Sequence, residues 1–272
     1  MRPCCLLLSG WVMRGDDVIM WPDLDVARQA LLDGDGDSVK VAIIDSGVDV
    51  SHPALRGLEL VDDVAVSCDG VNIRIEEGRG HDVYGHGTAV ASLLSQEAPA
   101  VQIGSFRALD SRNHARSFVI AECVSQAISR GYQVINCSFG CRGLARYVMD
   151  YKEWVDEAYL SGVQVVAACS NVDASVREWP AYFPSVISVR GIDCREGEFF
   201  ARSGEMVSFF ARGERVEVPW LEGKSKIETG SSYAAPVIAG KIAKLLSAFP
   251  GIEPSLVKPL LTVLASPQPV EA

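Results

Sequence analysis

With 272 residues, 48% of them hydrophobic and 22% charged, the chain has the size of one large α/β domain and enough apolar surface for a sizeable core. Its 24 glycines and 13 prolines are spread along the sequence, which excludes a low-complexity or fibrous protein. A formal net charge of −10 repels polyanions, so nucleic acid is not an expected partner, and no stretch reads as a membrane span.

In chain order, Arg2 and the apolar residues after it resemble a secretory signal, but the run is short and no small-x-small cleavage site follows. Residues 1–20 are therefore set aside as an extension of uncertain role, before a single domain spanning 21–272. Asp33-Gly34-Asp35-Gly36-Asp37 is acidic enough for a calcium loop. It lacks the glycine after the third acid and the later glutamate of the EF-hand pattern, and reads as an acidic turn.

From there, β-branched runs over 39–44, 101–106, 133–137, 163–168 and 186–190 predict buried parallel strands. Between them, Ile120, Val124, Ala127 and Ile128 share one helical face, as do Val148, Tyr151, Val155, Ala158 and Tyr159. A further helix is predicted over 232–249, where Val237, Ile238, Ile242, Leu245 and Leu246 recur at helical spacing before Pro250-Gly251, and a last one over 255–264. The alternation predicts a doubly wound, mainly parallel α/β sheet with helices on both faces. Eight cysteines at 4, 5, 68, 123, 137, 141, 169 and 194 form no CxxC pair and no Cys/His metal spacing. Several lie in apolar runs. They read as reduced core thiols, which favours a reducing compartment.

Three segments carry chemistry. The first strand delivers Val41-Ala42-Ile43-Ile44-Asp45 to the carboxyl end of the sheet, where α/β proteins place their sites. Tyr84-Gly85-His86-Gly87-Thr88 puts small neighbours around an imidazole just before a helix. Thr229-Gly230-Ser231-Ser232-Tyr233-Ala234-Ala235-Pro236 is a small-residue turn into another helix, whose first amides can face a developing negative charge. Taken singly, each reads as a helix cap or a loop residue.

Together, in this order, they resemble the subtilisin (subtilase) family, and Asp, His, Ser is the chain order known for subtilisin itself. The family's Gly-Thr-Ser-Met-Ala-x-Pro block selects Ser232 over Ser231 and has methionine where this chain has Tyr233. His-Gly-Thr is followed by Ala89 where many relatives carry a second histidine. Two further segments, from Val134 to Gly140 and from Val165 to Asn171, extend the likeness to about residues 38–265.

The resemblance implies a serine endopeptidase with Asp45, His86 and Ser232 as catalytic triad and Asn171 as oxyanion donor, although the usual glycine before that asparagine is Ser170. It implies a peptide substrate bound as an extended strand, with Ser138, Phe139 and Gly140 on one side and Ala168, Cys169 and Ser170 on the other. Glu178 stands near the floor of the primary pocket of relatives, where a carboxylate favours Lys or Arg before the cut. The stretch 95–103 is shorter than in secreted relatives, whose longer loop holds calcium, so no metal and no cofactor are expected. With fewer than 40 residues before the first strand, an inhibitory pro-region is not expected either. A cytoplasmic processing protease for a small precursor peptide is the resulting expectation. A peptide-binding pseudoprotease and a transpeptidase or macrocyclase on the same fold are the alternatives. A dinucleotide enzyme is disfavoured because the turn after the first strand has no Gly-x-Gly-x-x-Gly.

Overall fold

Each of the five apolar runs becomes a strand whose two faces are buried under helices, and the chain between them supplies those helices. The computed structural model describes residues 11–14, 19–173, 176–202 and 207–267. A hairpin of β1 (Trp11–Arg14) and β2 (Ile19–Pro22) overlaps the segment set aside as an extension. The first helix, α1 (Leu24–Asp33), starts because the Asp23 carboxylate accepts from the amides of Asp25 and Val26 at 2.8 and 3.1 Å.

Next come β3 (Lys40–Asp45), the hairpin β4 (Asp62–Asp69) and β5 (Asn72–Glu77), α2 (His86–Glu97), β6 (Gln102–Arg107) and α3 (Ser117–Ser129). They are followed by β7 (Val134–Cys137), β8 (Cys141–Arg142), α4 (Val148–Leu160), β9 (Gln164–Ala168) and β10 (Glu178–Trp179). The last third holds β11 (Ile187–Ile192), β12 (Phe199–Ala201), β13 (Phe209–Arg212), the ribbon β14 (Val216–Trp220) and β15 (Lys224–Glu228), α5 (Ser231–Ala248) and α6 (Pro254–Leu264).

Nine strands form one sheet in the order β12-β13-β11-β9-β7-β3-β6-β4-β5. Its seven inner strands pair in parallel, and only the two edges, β12 on β13 and β5 on β4, are antiparallel. Alternation along the strands divides the core into two layers. In β3, Val41 and Ile43 pack with Ala235, Ile238 and Ile242 of α5, in the layer that also holds residues of α1, α2 and α6. Ala42 and Ile44 face the opposite way, among Val119, Cys123 and Val124 of α3 and Trp154 and Val155 of α4. A doubly wound α/β sheet is the result.

The central strands sit one or two residues from their predicted limits, and the large helix begins at Ser231 instead of 232. The predicted apolar face of α4 needs one correction: Tyr159 is exposed and Trp154 is buried in its place. The thiols also depart from expectation. Cys123 and Cys137 are core residues, whereas Cys68, Cys141, Cys169 and Cys194 are only half-buried, at strand ends and in loops. All six are free, and Cys4 and Cys5 lie outside the described residues. Among the described residues no helix is long and apolar enough to cross a membrane.

Candidate active site

Three elements converge at the carboxyl end of the central strands. Asp45 ends β3, between β6 and β7. His86 is the first residue of α2, and Ser232 the second residue of α5. The His86 Nδ1–H donates to Asp45, with both carboxylate oxygens at 2.9 Å. The pair is almost wholly enclosed, with 7% of the His86 side chain and 1% of the Asp45 side chain exposed. Burial alone would depress the imidazole's affinity for a proton. The Asp45 charge and hydrogen bond, with help from Asp82 and Glu228, outweigh it, so the His86 pKa lies above its ordinary 6.5.

The tight approach foreseen from Gly-His-Gly is real on both sides. Gly85 has φ +104°, and a Cβ there would come within 2.9 Å of the Trp220 ring. A Cβ on Gly87 would meet the Gly47 carbonyl oxygen at 2.0 Å.

One residue that the sequence did not mark holds this corner together. Asp82 Oδ1 accepts from the Ser46 hydroxyl at 2.8 Å and from the Tyr84 and Gly85 amides at 2.9 and 2.7 Å. Its Oδ2 accepts from the Thr88 amide and hydroxyl at 2.8 and 2.6 Å. Ser46 Oγ in turn accepts from the Gly87 amide at 3.1 Å, and Thr88 Oγ1 accepts from the Asp49 amide at 3.0 Å. The turn that follows Asp45 and the turn that begins α2 are thereby tied to one carboxylate. That carboxylate also sits at the positive end of a helix.

Asn171 reaches the start of α5. Its Oδ1 accepts from the Ser231 amide at 2.7 Å, which fixes the amide orientation and leaves Nδ2 as the free end. A Cβ on Gly230 would lie 3.2 Å from Ser232 Oγ and 3.4 Å from Asn171 Nδ2, so the hydroxyl and the amide nitrogen flank the same small residue. The Ser232 amide is one of the first four of α5, which have no carbonyl within the helix to bond. On the other side, Asn136 Nδ2 donates to Ser138 Oγ at 2.8 Å, and that hydroxyl donates to the Ser232 carbonyl at 2.9 Å.

These groups open on a cleft of about 450 Å³ lined by His86, Asn171 and Ser232. Ser138, Phe139 and Gly140 form part of its wall, as do Ala168, Cys169 and Ser170. Asp45 stands behind His86 and does not line it. Glu178 also lines the cleft, packed so closely on Gly140 that a Cβ there would meet Glu178 Oε2 at 2.5 Å. Burial pushes the Glu178 pKa above the usual carboxylate value, and a hydrogen bond from Ser170 pulls it partly back. No Lys or Arg among the described residues forms an ion pair with Glu178. The Ser170 hydroxyl also accepts from the Val172 amide at 3.3 Å, so the side chain that replaces the usual glycine braces this turn.

The opposite wall was not foreseen. Trp220, Lys226, Glu228 and Thr229 enter the cleft from the β14–β15 ribbon, with the Lys226 ammonium 3.2 Å from the Trp220 ring centroid and paired with Glu228. Lys226 and Glu228 are two apart on one strand and so share a face, which the alternation in Lys224-Ser225-Lys226-Ile227-Glu228 could have revealed. Two of the three departures from the family's pattern, Ala89 and Tyr233, lie in one apolar cluster with Leu93, Val216 and Val218. There the Tyr233 ring centroid is 5.5 Å from that of His86. Among the described residues, no group of three or more His, Cys, Asp or Glu is placed to hold a metal ion.

A buried imidazole held by a carboxylate, sharing one cleft with a serine hydroxyl at a helix N-terminus and an oriented amide N–H, can perform acyl transfer. Comparison with known proteins agrees. Residues 36–269 match the family model for the subtilase family. Subtilisin DY of Bacillus licheniformis is 29% identical over 245 residues, covering 85% of each chain. The subtilisin of Bacillus pumilus is 30% identical over 229 residues, covering 79% of each. Among solved structures, a cold adapted subtilisin-like serine proteinase aligns with a TM-score of 0.67 and 26% identity, over 84% of this chain and 82% of that one.

Proposed function

We propose, from the premise that the chain belongs to the subtilase family and is a serine endopeptidase acting on peptide or protein substrates, that Ser232 is its nucleophile and His86 its general base and acid. In this reading Asp45 holds the imidazole, and Asn171 with the Ser232 amide receives the oxyanion. The observation that carries it is the His86–Asp45 hydrogen bond at 2.9 Å, on a ring that shares its cleft with Ser232 and the oriented Asn171 amide.

Because Nδ1–H donates to Asp45, Nε2 is the nitrogen left to accept a proton. It takes the Ser232 proton as Oγ bonds to the peptide carbonyl carbon. It then gives that proton to the departing amine as the C–N bond breaks. Water, deprotonated by the same nitrogen, releases the acyl group and regenerates Ser232. Asn171 Nδ2–H is the side-chain donor available to the tetrahedral oxygen. Its loss would lower turnover roughly 100- to 1000-fold, the range subtilisin itself gives for that donor.

We further propose that substrate lies as an extended strand between the 138–140 and 168–170 segments, with Lys or Arg before the cut facing Glu178. The half-buried carboxylate in the cleft wall, with which no Lys or Arg of the described residues is ion-paired, supports this. A processing role on a precursor peptide and a cytoplasmic setting complete the proposal, the latter supported by six free thiols. Kinetics on a fluorogenic peptide series differing only before the cut tests the preference. Arg and Lys substrates should exceed Phe and Leu by about 30- to 100-fold in kcat/KM, the worth of one charge-assisted pair. The ratio should collapse in Glu178→Gln, and in the wild type it should fall as pH drops through a Glu178 pKa above the ordinary 4.5. Equal or better cleavage after Phe or Leu removes the assignment.

A further inference from the structure

A second cavity, of about 600 Å³ against about 450 Å³ for the cleft, lies on the far side of the loop joining β6 to α3. That loop borders both spaces: Asn113 lines the cleft, and Asp110, Ser111 and His114 line the cavity. The wall is bolted to the site, because the Ala108 and Leu109 amides both donate to the Asp45 carbonyl, at 2.9 and 3.1 Å.

Its lining carries two arginines and two carboxylates, and among the described residues none of them is ion-paired with another. Arg107, at the end of β6 and half-buried, lines the cavity and forms no ion pair among the described residues. The exposed Arg116 lines it as well; among the described residues its guanidinium donates only to the Gly70 carbonyl, at 2.8 Å, and lies 5.8 Å from the Phe118 ring centroid. Two carboxylates share the lining. Asp110 already accepts from the Arg112 and His114 amides of its own loop, at 2.8 and 3.0 Å, and Glu76 is exposed on the edge strand β5. A half-buried guanidinium facing an open cavity has lost hydration without gaining an anion, and its planar fork suits a carboxylate.

We infer that this cavity is an accessory site for a carboxylate-bearing segment of the substrate, upstream of the cut. The inference rests on the peptidase reading and extends it from one subsite to a second, separate cavity. Overall charge selects a tethered carboxylate over a free anion. At −10 the protein repels anions in solution, whereas a segment already anchored in the cleft arrives at high effective concentration. Passage over the Asn113 loop is the route from one space to the other.

The test compares matched fluorogenic peptides extended upstream by a run of glutamates or of glutamines, each enzyme serving as its own reference. The wild type should favour the glutamate peptide by about 10-fold in kcat/KM, mostly through KM, less than the Glu178 pair is worth because Arg116 is exposed and its contact is screened by solvent. Raising ionic strength to about 0.5 M should erode the preference. Arg107→Gln and Arg116→Gln should each bring the ratio toward one, and Arg116→Glu should invert it. A wild-type ratio of one, a ratio indifferent to these variants, or an equal preference for glutamates placed downstream overturns the inference. Anisotropy with the same labelled peptides on the Ser232→Ala protein separates this failure from failure of the peptidase reading. Selective binding of the glutamate peptide there supports the site even if nothing is cut, and equal binding of both refutes it.

Discussion

Replacing Asp82 by Asn removes one charge and one acceptor from the corner that holds His86, and its effects on stability and on activity have calculable signs. The Asn oxygen can keep the Ser46, Tyr84 and Gly85 donors, but its NH₂ then faces the Thr88 amide, which is itself a donor. The Thr88 hydroxyl can turn to accept, since its oxygen has a second lone pair beside the one used by Asp49. One half-buried N–H is left without a partner, costing about 1–2 kcal/mol, and the N-terminus of α2 loses a carboxylate worth about 0.3–1 kcal/mol. A total of about 2 kcal/mol lowers Tm by about 4–8 °C in a domain of this size. Asp82 also helps to hold the His86 pKa up, so its neutralisation must move the acid limb of kcat/KM to lower pH. Calorimetry and a pH–rate profile of the same preparation read both effects. A variant that melts within 1 °C of the wild type, or whose acid limb moves upward, refutes the tie between this carboxylate and the imidazole.

Other outcomes follow from the same geometry. Asn171→Ala should lower kcat with little change in KM, while stability falls by about 1 kcal/mol from the loss of the acceptor for the Ser231 amide, read by urea unfolding. A KM effect alone would place Asn171 in ground-state binding. His86 has a folded pKa above 6.5, so the stability its protonated form contributes is fully present below about 6.5 and lost as pH rises through the folded value. Activity that requires neutral His86 rises over the same interval. Urea midpoints and kcat/KM measured across it should run in opposite directions, and parallel rises would contradict the assignment. Gly85→Ala, at φ +104° against the Trp220 ring, should destabilise by about 1–3 kcal/mol, and a neutral result in thermal unfolding would show that the corner is looser than described.

The central strands were legible because both their faces are buried, leaving continuous β-branched runs such as Val41-Ala42-Ile43-Ile44. The edges were not. In β5 every residue is exposed, so Asn72-Ile73-Arg74-Ile75-Glu76-Glu77 carries no core-like run, although Asp69-Gly70 ahead of it is a hairpin signal. The β14–β15 ribbon was missed because it is short and carries its apolar packing on Val216 and Val218, while β15 is largely exposed, and with it went Trp220, Lys226 and Glu228 in the cleft. Asp45, His86 and Ser232 could be picked out because glycines and small residues crowd around two of them and an apolar strand leads to the third. Asp82 could not, since a loop aspartate four residues before a histidine has no pattern of its own and its five donors are divided between the distant Ser46 and the following turn at Tyr84, Gly85 and Thr88. Tyr233 was visible as a departure from the family block, but its place between His86 and the Ala89 cluster depends on tertiary packing.

The central claim is that Ser232 is made nucleophilic by the His86–Asp45 pair. Reaction of the native protein with a fluorophosphonate, followed by mass mapping of the adduct, tests it most directly. The account predicts one adduct, on Ser232, that is absent from Ser232→Ala and forms at least about 1000-fold more slowly in His86→Ala. Labelling of native protein no faster than of unfolded protein, or an adduct that survives both substitutions, would contradict it.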